Sequence, residues 1–311
     1  MTLPTNKCPK PTGHSEPAGE TRRWCGSGFI FRYGLSAILL CGGANAGAAP
    51  QRVVTLAPHL TELVCAVGAC ERLVGVSAYS DYPPQVSKLP QISDATTVNL
   101  EAVLGLKPDL VLAWDGGTPP ETMARLRGLG LRVESLQVRG LEDVAAALER
   151  SGALLGTADA AQRAAQDYRA RLAQLRARWH GAKPIRAVYQ IETAPAYTIN
   201  RDSPISEAMV LCGGINVFAE LPRLAAPVSA EAMLAARPEA VIYGGEENTQ
   251  SIRDYWTRLA GAPAARYGNL YPVDANLLGR ATPRLLDGVE QVCTVLDQAR
   301  ARRRAGIGNG E

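Results

Sequence analysis

The sequence has little net charge and few of the residues that usually perform chemistry. Its 311 residues include 33 basic and 30 acidic side chains, a formal charge of +3, and three histidines. So small an excess gives no strong basic field, which argues against a dedicated nucleic-acid-binding protein. A charged fraction of 20% beside 46% hydrophobic residues excludes a disordered chain, because such a composition can bury a sizeable core. The length predicts two domains or one large domain.

Common catalytic and metal-binding motifs are also missing from the sequence. It contains no G-x-S-x-G, no H-E-x-x-H and no P-loop, and its glycine pairs lack the spacing of a phosphate cradle. Cys65 and Cys70 are not spaced as C-x-x-C, which argues against a thioredoxin-like redox site. No set of four ligands has the spacing of a zinc site. We therefore predict no catalytic residue, no metal site and no cofactor.

The N-terminal residues 1–46 predict a secretory signal peptide with an upstream extension. Basic residues precede a short apolar run at 34–41, and an A-x-A site follows at 44–46, as in secretory signals. The run is shorter than the ~20 residues of a membrane span, so a membrane anchor is the weaker alternative. A lipoprotein acylated at Cys41 is a further alternative, disfavoured because Leu40 stands where a small residue is expected.

Cleavage after Ala46 changes both the charge and the cysteine count. The removed segment has a net charge of +3, so the mature chain is formally neutral. Three of the seven cysteines leave with the signal, and Cys65, Cys70, Cys212 and Cys293 remain. An even number of cysteines suits an oxidising compartment.

In the mature chain, short β-rich runs alternate with helical segments. A strand at 52–57 is followed by a helix from about Leu60 to Val67, and the pattern continues with strands and helices to about 135. Such alternation predicts a parallel sheet. A proline-free segment then predicts one long helix over 158–180, with Thr157 as N-cap and Gly181 just past its end. The β/α pattern resumes at Pro184.

An internal repeat relates the two halves of the chain. Residues 98–112 match residues 228–242 without gaps, at an offset of 130. Each copy has an N-cap residue followed by an acid in the first helical turn, Glu101 in one and Glu231 in the other. The alternative to a true internal repeat is convergence, because two helix–strand units can be alike without being related. The repeat predicts two lobes of related design with a ligand cleft between them.

These observations predict an α/β fold in which one long α-helix bridges two small parallel-sheet, Rossmann-like lobes. The predicted segments are the signal peptide and extension (1–46), the N-terminal lobe (51–140), the bridging helices (141–182), the C-terminal lobe (183–304) and a tail (305–311).

Several sequence blocks, in order, cover the mature chain from about Gln51 to Ala299. They are Arg52-Val-Val-Thr-Leu-Ala-Pro58 with Thr61-Glu-Leu63, Gly75-Val-Ser-Ala-Tyr-Ser-Asp-Tyr-Pro-Pro84, Asn99-Leu-Glu101, Leu106-Lys-Pro-Asp-Leu-Val111, Ala113-Trp114 with Gly116-Gly117, Leu211-Cys-Gly-Gly214 with Asn216-Val-Phe218, and Arg280-Ala-Thr-Pro-Arg284. In these blocks the chain resembles the helical-backbone receptors of ABC importers that bind corrinoids, haem and ferric siderophores. The Ser-Asp-Tyr-Pro-Pro and Ala-Trp-x-Gly-Gly strings favour the cobalamin-binding subgroup.

The resemblance implies a monomeric periplasmic protein that captures a corrinoid, foremost cobalamin (vitamin B12), and delivers it to a permease dimer in the inner membrane. Such a protein would not be an enzyme. Tyr79, Trp114 and Arg280 fall on cleft positions of the family. The complete predicted ligand-binding set is Pro58, His59, Tyr79, Trp114, Tyr197, Asn276 and Arg280.

The resemblance also assigns roles outside the cleft. Glu101 and Glu231 fall on the two acids, one in each lobe, that dock onto permease arginines. A purely structural role is the alternative, since a first-turn acid stabilises a helix N-terminus by about 0.3–1 kcal/mol; both roles can coexist. Cys212 and Cys293 fall on the family's disulfide. Cys65 and Cys70 are additional, and either a second disulfide or two free thiols remains open.

Differences from the family pattern affect the expected ligand. Ala95, Ile191 and Ala225 stand where the relatives have aromatic residues, and each lost ring removes contact worth about 1–3 kcal/mol. Asn276 replaces an acidic residue. The cleft could therefore be wider, or fit a corrinoid that lacks the lower base, with Tyr197 compensating in part for the missing rings.

Two other functions remain as alternatives. A tyrosinate can ligate haem iron, so Tyr79 allows a haem or ferric-siderophore receptor of the same fold. An unrecognised secreted enzyme using Tyr79, His59 and Arg280 would need an activated nucleophile or a metal, and the sequence offers neither.

Overall fold

The computed structural model describes residues 48–94, 97–245 and 248–308. The first lobe contains one five-stranded sheet of order β3-β2-β1-β4-β5, in which every neighbouring pair is parallel. Its strands are β1 (Val53–Thr55), β2 (Leu73–Ser77), β3 (Gln91–Ser93), β4 (Leu110–Trp114) and β5 (Val133–Leu136). Its helices are α1 (Pro58–Ala66), α2 (Leu100–Gly105) and α3 (Pro120–Gly128). The predicted signal segment and Ala95 lie outside the described residues.

The second lobe contains a six-stranded sheet of order β11-β10-β6-β7-β9, with β8 paired to β6. Its strands are β6 (Ile185–Thr193), β7 (Ala196–Ile199), β8 (Gly214–Asn216), β9 (Ala225–Pro227), β10 (Ala240–Gly244) and β11 (Leu270–Val273). This sheet is mixed rather than purely parallel, because β7 runs antiparallel to both β6 and β9. Only two residues connect β6 to β7, and so short a connection joins antiparallel strands only.

Two helices, α4 (Asp143–Leu155) and α5 (Ala158–Trp179), connect the two sheets. The long helix predicted over 158–180 is therefore present and ends one residue earlier. Thr157 is its N-cap but makes no side-chain capping hydrogen bond. Gly152 permits the close approach of α4 to α5, since a Cβ there would lie 2.2 Å from the Ala161 Cβ.

The remaining helices belong to the second lobe. They are α6 (Pro204–Leu211), α7 (Ala230–Ala236), α8 (Thr249–Thr257), α9 (Pro263–Arg266), α10 (Ala275–Leu278) and α11 (Leu285–Gly308). Helix α11 extends into the segment predicted as a tail. Within the described part of the chain, no helix is both long and apolar enough to cross a membrane.

Side chains along the strands alternate between two cores, as the two faces of a sheet require. In β4, Leu110 and Leu112 enter a core shared by both lobes, whereas Val111 enters a smaller core on the opposite face. The shared core continues through Leu148 of α4 and Leu172 of α5 into the second lobe. Packed side chains, rather than a flexible linker, therefore join the lobes.

The internal repeat is reproduced in backbone detail. Asn99 caps α2 by accepting a hydrogen bond from the Ala102 N–H, and Ser229 caps α7 in the same way through the Ala232 N–H. Both helices are followed by a cationic residue with positive φ, Lys107 (47°) and Arg237 (45°).

Arginines at equivalent places fix both units to the start of a strand. The Arg52 guanidinium donates to the Leu106 carbonyl, and the Arg186 guanidinium donates to the Ala236 carbonyl. Their backbone N–H groups donate to Asp109 and Glu239, the acids that follow the repeat-equivalent Pro108 and Pro238. The two helix–strand units thus have one design.

Candidate functional site

A cavity of about 440 Å³ lies between the lobes, and we call it the interlobe cavity. The chain reaches it at the carboxyl ends of β1, β4 and β5, where parallel α/β sheets usually bind ligands. Its lining includes Ala57, Pro58, His59, Trp114, Asp115, Gln137 and Arg139 from the first lobe, and Asp202, Ile205, Leu224, Leu278, Arg280 and Leu285 from the second. The predicted cleft is therefore present.

A smaller cavity of about 240 Å³ opens within the first lobe, and we call it the side cavity. Tyr79, Val98 and Pro119 contribute to its wall. Pro58 and Trp114 line both cavities. Ala57 lines both as well, so the two cavities are neighbours that share this part of the wall.

The Trp114 indole is held from two sides. The His59 ring meets it edge-on, with ring centroids 5.2 Å apart and planes at 84°. Beneath it lies Gly117, where a Cβ would be only 1.8 Å from the indole Cε3. The Thr118 hydroxyl accepts a hydrogen bond from the backbone N–H of Trp114 at 3.0 Å. With 42% of its surface still exposed, the ring is both fixed and available to a ligand.

Arg280 joins the two lobes through a partly buried hydrogen-bond network. Its Nη1 donates to Glu62 Oε1 at 3.0 Å and to Asp81 Oδ1 at 2.5 Å. Its Nη2 donates to the Tyr79 carbonyl at 2.9 Å and to Asn276 Oδ1 at 2.8 Å. Three of these four partners belong to the first lobe, and Arg280 belongs to the second. Arg280 thus lines the interlobe cavity, but its donors are used mainly to hold the lobes together.

Glu62 is a buried carboxylate, and two arginines neutralise it. Its side chain is 3% exposed, and Arg284 Nη1 lies 3.3 Å from the oxygen that also accepts from Arg280. The Arg284 guanidinium also stacks 3.9 Å above the Tyr82 ring. Burial of a carboxylate is tolerated because cations pair with it directly.

The loop after β2 is positioned by this network and by a chain of buried hydroxyls. The Ser80 hydroxyl lies 3.1 Å from that of Thr61 and 3.2 Å from that of Ser77. Tyr79 has positive φ (63°), which is unusual for a bulky residue, and its side chain is 75% exposed. Arg280 accordingly fixes the backbone that presents the Tyr79 ring beside the side cavity.

The same guanidinium shapes the electrostatics of the cleft. Burial, reinforced by the Arg280 charge, lowers the pKa of His59 to about 4. The hydrogen bond from Arg280 lowers the pKa of Asp81 below its ordinary value. At neutral pH the cleft therefore has a neutral imidazole and an ionised Asp81.

The other predicted ligand-binding residues lie further away. Tyr197 is half-buried in β7, opposite Glu192 and Pro227, and does not line either of the two cavities. Asn276 is not part of the interlobe cavity lining and is tied to the site through its hydrogen bond from Arg280. The roles of both residues remain predictions.

Both cysteine pairs form disulfides. The sulfurs of Cys212 and Cys293 are 2.01 Å apart, the pairing that the resemblance implied. Cys65 and Cys70 are also bridged, which decides between the two alternatives left open. Gly68 makes that bridge possible, because helix α1 ends at Ala66 and Gly68 turns the chain with φ of 78°.

Sequence reasoning missed three residues that build the site, namely Glu62, Asp81 and Gly117. Asp81 belongs to the Ser-Asp-Tyr-Pro-Pro block and Gly117 to the Trp-x-Gly-Gly block, so both lay within recognised strings. Glu62 also lay within a recognised string, Thr61-Glu-Leu63, but its pairing with Arg280 had no local signal, because the two residues are 218 positions apart in the chain. In the described ranges, no three His, Cys, Asp or Glu side chains are grouped as a metal site.

Two α/β lobes, a rigid helical connection and one cavity between them define a two-lobed solute receptor. Residues 53–277 match the family model described as periplasmic binding protein. The chain belongs to the periplasmic binding protein family.

Named relatives agree with this assignment. The chain is 38% identical to the vitamin B12-binding protein of Vibrio cholerae over 79% of its own length and 89% of that protein. The crystal structure of periplasmic vitamin B12 binding protein BtuF of Vibrio cholerae is similar at a TM-score of 0.76 and 37% identity, covering 81% of this chain and 98% of that one. A periplasmic heme binding protein from Pseudomonas aeruginosa is similar at a TM-score of 0.71 and 29% identity, covering 78% and 91%.

Proposed function

We propose that this protein is a periplasmic receptor that captures a corrinoid, foremost cobalamin, and delivers it to an ABC importer. The observation that supports this most directly is the interlobe cavity, walled by Trp114 and Pro58 on one side and by Arg280 on the other, in a chain similar to vitamin B12-binding proteins. The predicted signal peptide would deliver the chain to the periplasm. The protein would act by binding and release, without chemistry.

The cavity lining suits a flat ligand with a polar rim. A corrin ring is a large disc with apolar faces and amide side chains around its edge. Trp114, Pro58 and Leu224 offer apolar contacts, while Gln137, Arg139 and Asp202 offer hydrogen-bonding groups. Binding sites generally combine a largely apolar wall with a few polar groups that orient the ligand.

Calorimetry with the chain from residue 47 onward and cyanocobalamin tests the proposal. We expect a dissociation constant in the micromolar range or tighter. Trp114→Ala should weaken binding at least about tenfold, because the loss of a stacked ring is worth about 1–3 kcal/mol. Leu129→Ala is the matched control, since Leu129 is similarly exposed, at 48%, and lies outside both cavities. If cyanocobalamin produces no heat of binding and displaces no bound ligand, the corrinoid proposal is rejected.

A haem receptor is the second candidate, favoured by the exposed Tyr79 phenol and by the haem-binding relative of known structure. A haem complex ligated by Tyr79 would show a Soret band that changes in Tyr79→Phe. The corrinoid proposal expects red cobalamin bands instead, and no iron-ligand transition. The absorption spectrum of the protein as purified distinguishes the two ligands.

We further propose that Glu101 and Glu231 dock onto the permease. Both side chains are exposed in the first turn of equivalent helices, so they suit a partner of two equivalent subunits. The hydrogen bonds of its own backbone and of Ser229 lower the pKa of Glu231, so this acid also stabilises its helix. Glu101→Gln with Glu231→Gln should preserve cobalamin affinity and reduce uptake by cells. Uptake at the wild-type rate would exclude the docking role.

A further inference from the structure

Two exposed leucines occupy the same place in the two lobes. Leu104 in α2 is 37% exposed, and Leu234 in α7 is 38% exposed. They are separated by the 130-residue offset of the internal repeat. Single exposed leucines are ordinary on protein surfaces, but a matched pair at repeat-equivalent positions needs a common reason.

The burial of the two units agrees residue by residue. From Val98 to Pro108, each residue has the same burial class as its counterpart from Val228 to Pro238. Val103 and Met233 are fully buried and anchor the helices to the lobes. The repeat has therefore preserved an outward-facing surface as well as an inward-facing one.

Each leucine shares its outward surface with an acid. Glu101 precedes Leu104 by three positions, and Glu231 precedes Leu234 by three. Residues at this spacing are neighbours on one helix face. We call these two surfaces, Glu101 with Leu104 and Glu231 with Leu234, the twin patches.

The twin patches are also held rigidly. The guanidiniums of Arg52 and Arg186 fix the carbonyls at the ends of the two helices, and Asn99 and Ser229 cap their starts. A pre-ordered surface loses little conformational freedom on binding, which favours recognition.

We propose that Leu104 and Leu234 are apolar anchors through which this protein docks on the two equivalent subunits of its ABC permease. Each leucine inserts into an apolar depression of one subunit, beside the cation that pairs with the neighbouring glutamate. A two-fold symmetric partner presents the same surface twice, and the twin patches present matching groups twice on one chain. The inference rests on the proposed receptor function.

The contributions of the glutamates and the leucines to docking can be measured separately. Exposed ion pairs weaken with added salt, whereas burial of a leucine does not depend on charge screening. Glutamate contacts should therefore determine the salt dependence of docking, and leucine contacts should persist at high salt.

The test measures binding of the mature chain to the permease–ATPase complex of the same bacterium in lipid nanodiscs, at low and high salt. Leu104→Ala and Leu234→Ala should each weaken docking about tenfold, and the double variant about a hundredfold, with the salt dependence and the cyanocobalamin affinity unchanged. Alanine retains helix propensity, and Leu104→Met with Leu234→Met should restore most of the affinity. Val210→Ala, at a site that is 60% exposed, is the control.

Docking within twofold of wild type in the double alanine variant would overturn the inference. A wild-type chain that binds cyanocobalamin but shows no saturable docking would overturn it as well, while leaving corrinoid capture intact. Loss of a dimer of this chain in the double variant, seen by sedimentation, would reassign the twin patches to self-association. Absence of cyanocobalamin binding by the wild type would instead reject the receptor function itself.

Discussion

Replacement of Arg280 by methionine should destabilise the protein by a predictable amount. Arg280→Met removes the guanidinium but keeps an unbranched apolar stem. The Glu62 carboxylate, 3% exposed, is then left with Arg284 at 3.3 Å as its cationic partner. Asp81, whose side chain is 55% exposed, can regain water at little cost. The penalty therefore arises mainly at Glu62.

Breaking a buried ion pair typically costs about 3–5 kcal/mol. Because Arg284 retains part of the compensation, we expect about 3 kcal/mol, at the lower end. For a chain of this size, about 1 kcal/mol shifts the melting temperature by about 2–4 °C. The melting temperature of ligand-free Arg280→Met should therefore fall by about 6–12 °C.

A double-mutant cycle measured by urea unfolding tests whether the unpaired Glu62 carboxylate causes this loss of stability. Glu62→Gln with Arg280→Met removes the uncompensated charge, so the double variant should be more stable than Arg280→Met alone, with a coupling energy of about 2 kcal/mol. Arg132→Met is the control, since Arg132 pairs with Glu134 at 3.6 Å on the surface and should change stability by under about 0.5 kcal/mol. Additive effects in the cycle, or a loss under about 1 kcal/mol for Arg280→Met, would refute this account.

Three further outcomes are expected. The pKa of His59 is lowered to about 4 from 6.5, so between these pH values the unfolded chain binds one more proton than the folded chain. The free energy of unfolding should therefore fall by about 3 kcal/mol in total as pH drops from 6.5 through 4. Urea titrations at stepped pH should show a flatter pH dependence for His59→Gln. Gly117→Ala should displace the Trp114 indole and weaken cobalamin binding measured by calorimetry, whereas Gly128→Ala, with open space around its Cβ position, should bind normally. Opening the disulfide of Cys212, which spans 81 residues, should cost about 4 kcal/mol in the chain-entropy account, and equal urea midpoints for the reduced and oxidised proteins would contradict it.

The repeat predicted the equivalence of the two lobes correctly, because helix caps, first-turn acids and the proline before a strand are local signals. The same holds for α5, whose long amphipathic pattern has no proline. The mixed character of the second sheet escaped prediction. The antiparallel direction of β7 follows from its two-residue connection to β6, but that connection, Ala194-Pro195, is not the Asn-Gly or Asp-Gly pair that marks a hairpin in a sequence.

Some of the candidate site residues could be placed from the sequence and others could not, because local signals do not report how strands pair in space. Trp114 ends β4, and Pro58 and His59 begin the helix that follows β1. The resemblance placed Trp114 at the cleft, and the strand-to-helix turn suggested the place of His59. Tyr197 was expected to compensate for missing rings, yet it lies outside both cavities. That expectation depended on the path of β7 in space, which local pattern does not determine.

The sequence by itself predicts an export signal, and it determined the two related halves, the long connecting helix and the family, because each depends on local pattern or on matching strings. Only the tertiary structure decided the use of Arg280. In the sequence it was a cleft residue expected to face a ligand. In the fold its guanidinium is used by Glu62, Asp81, Asn276 and the Tyr79 carbonyl. Which carboxylates meet a given guanidinium depends on how distant segments pack, since electrostatic pairing acts through space and not along the chain.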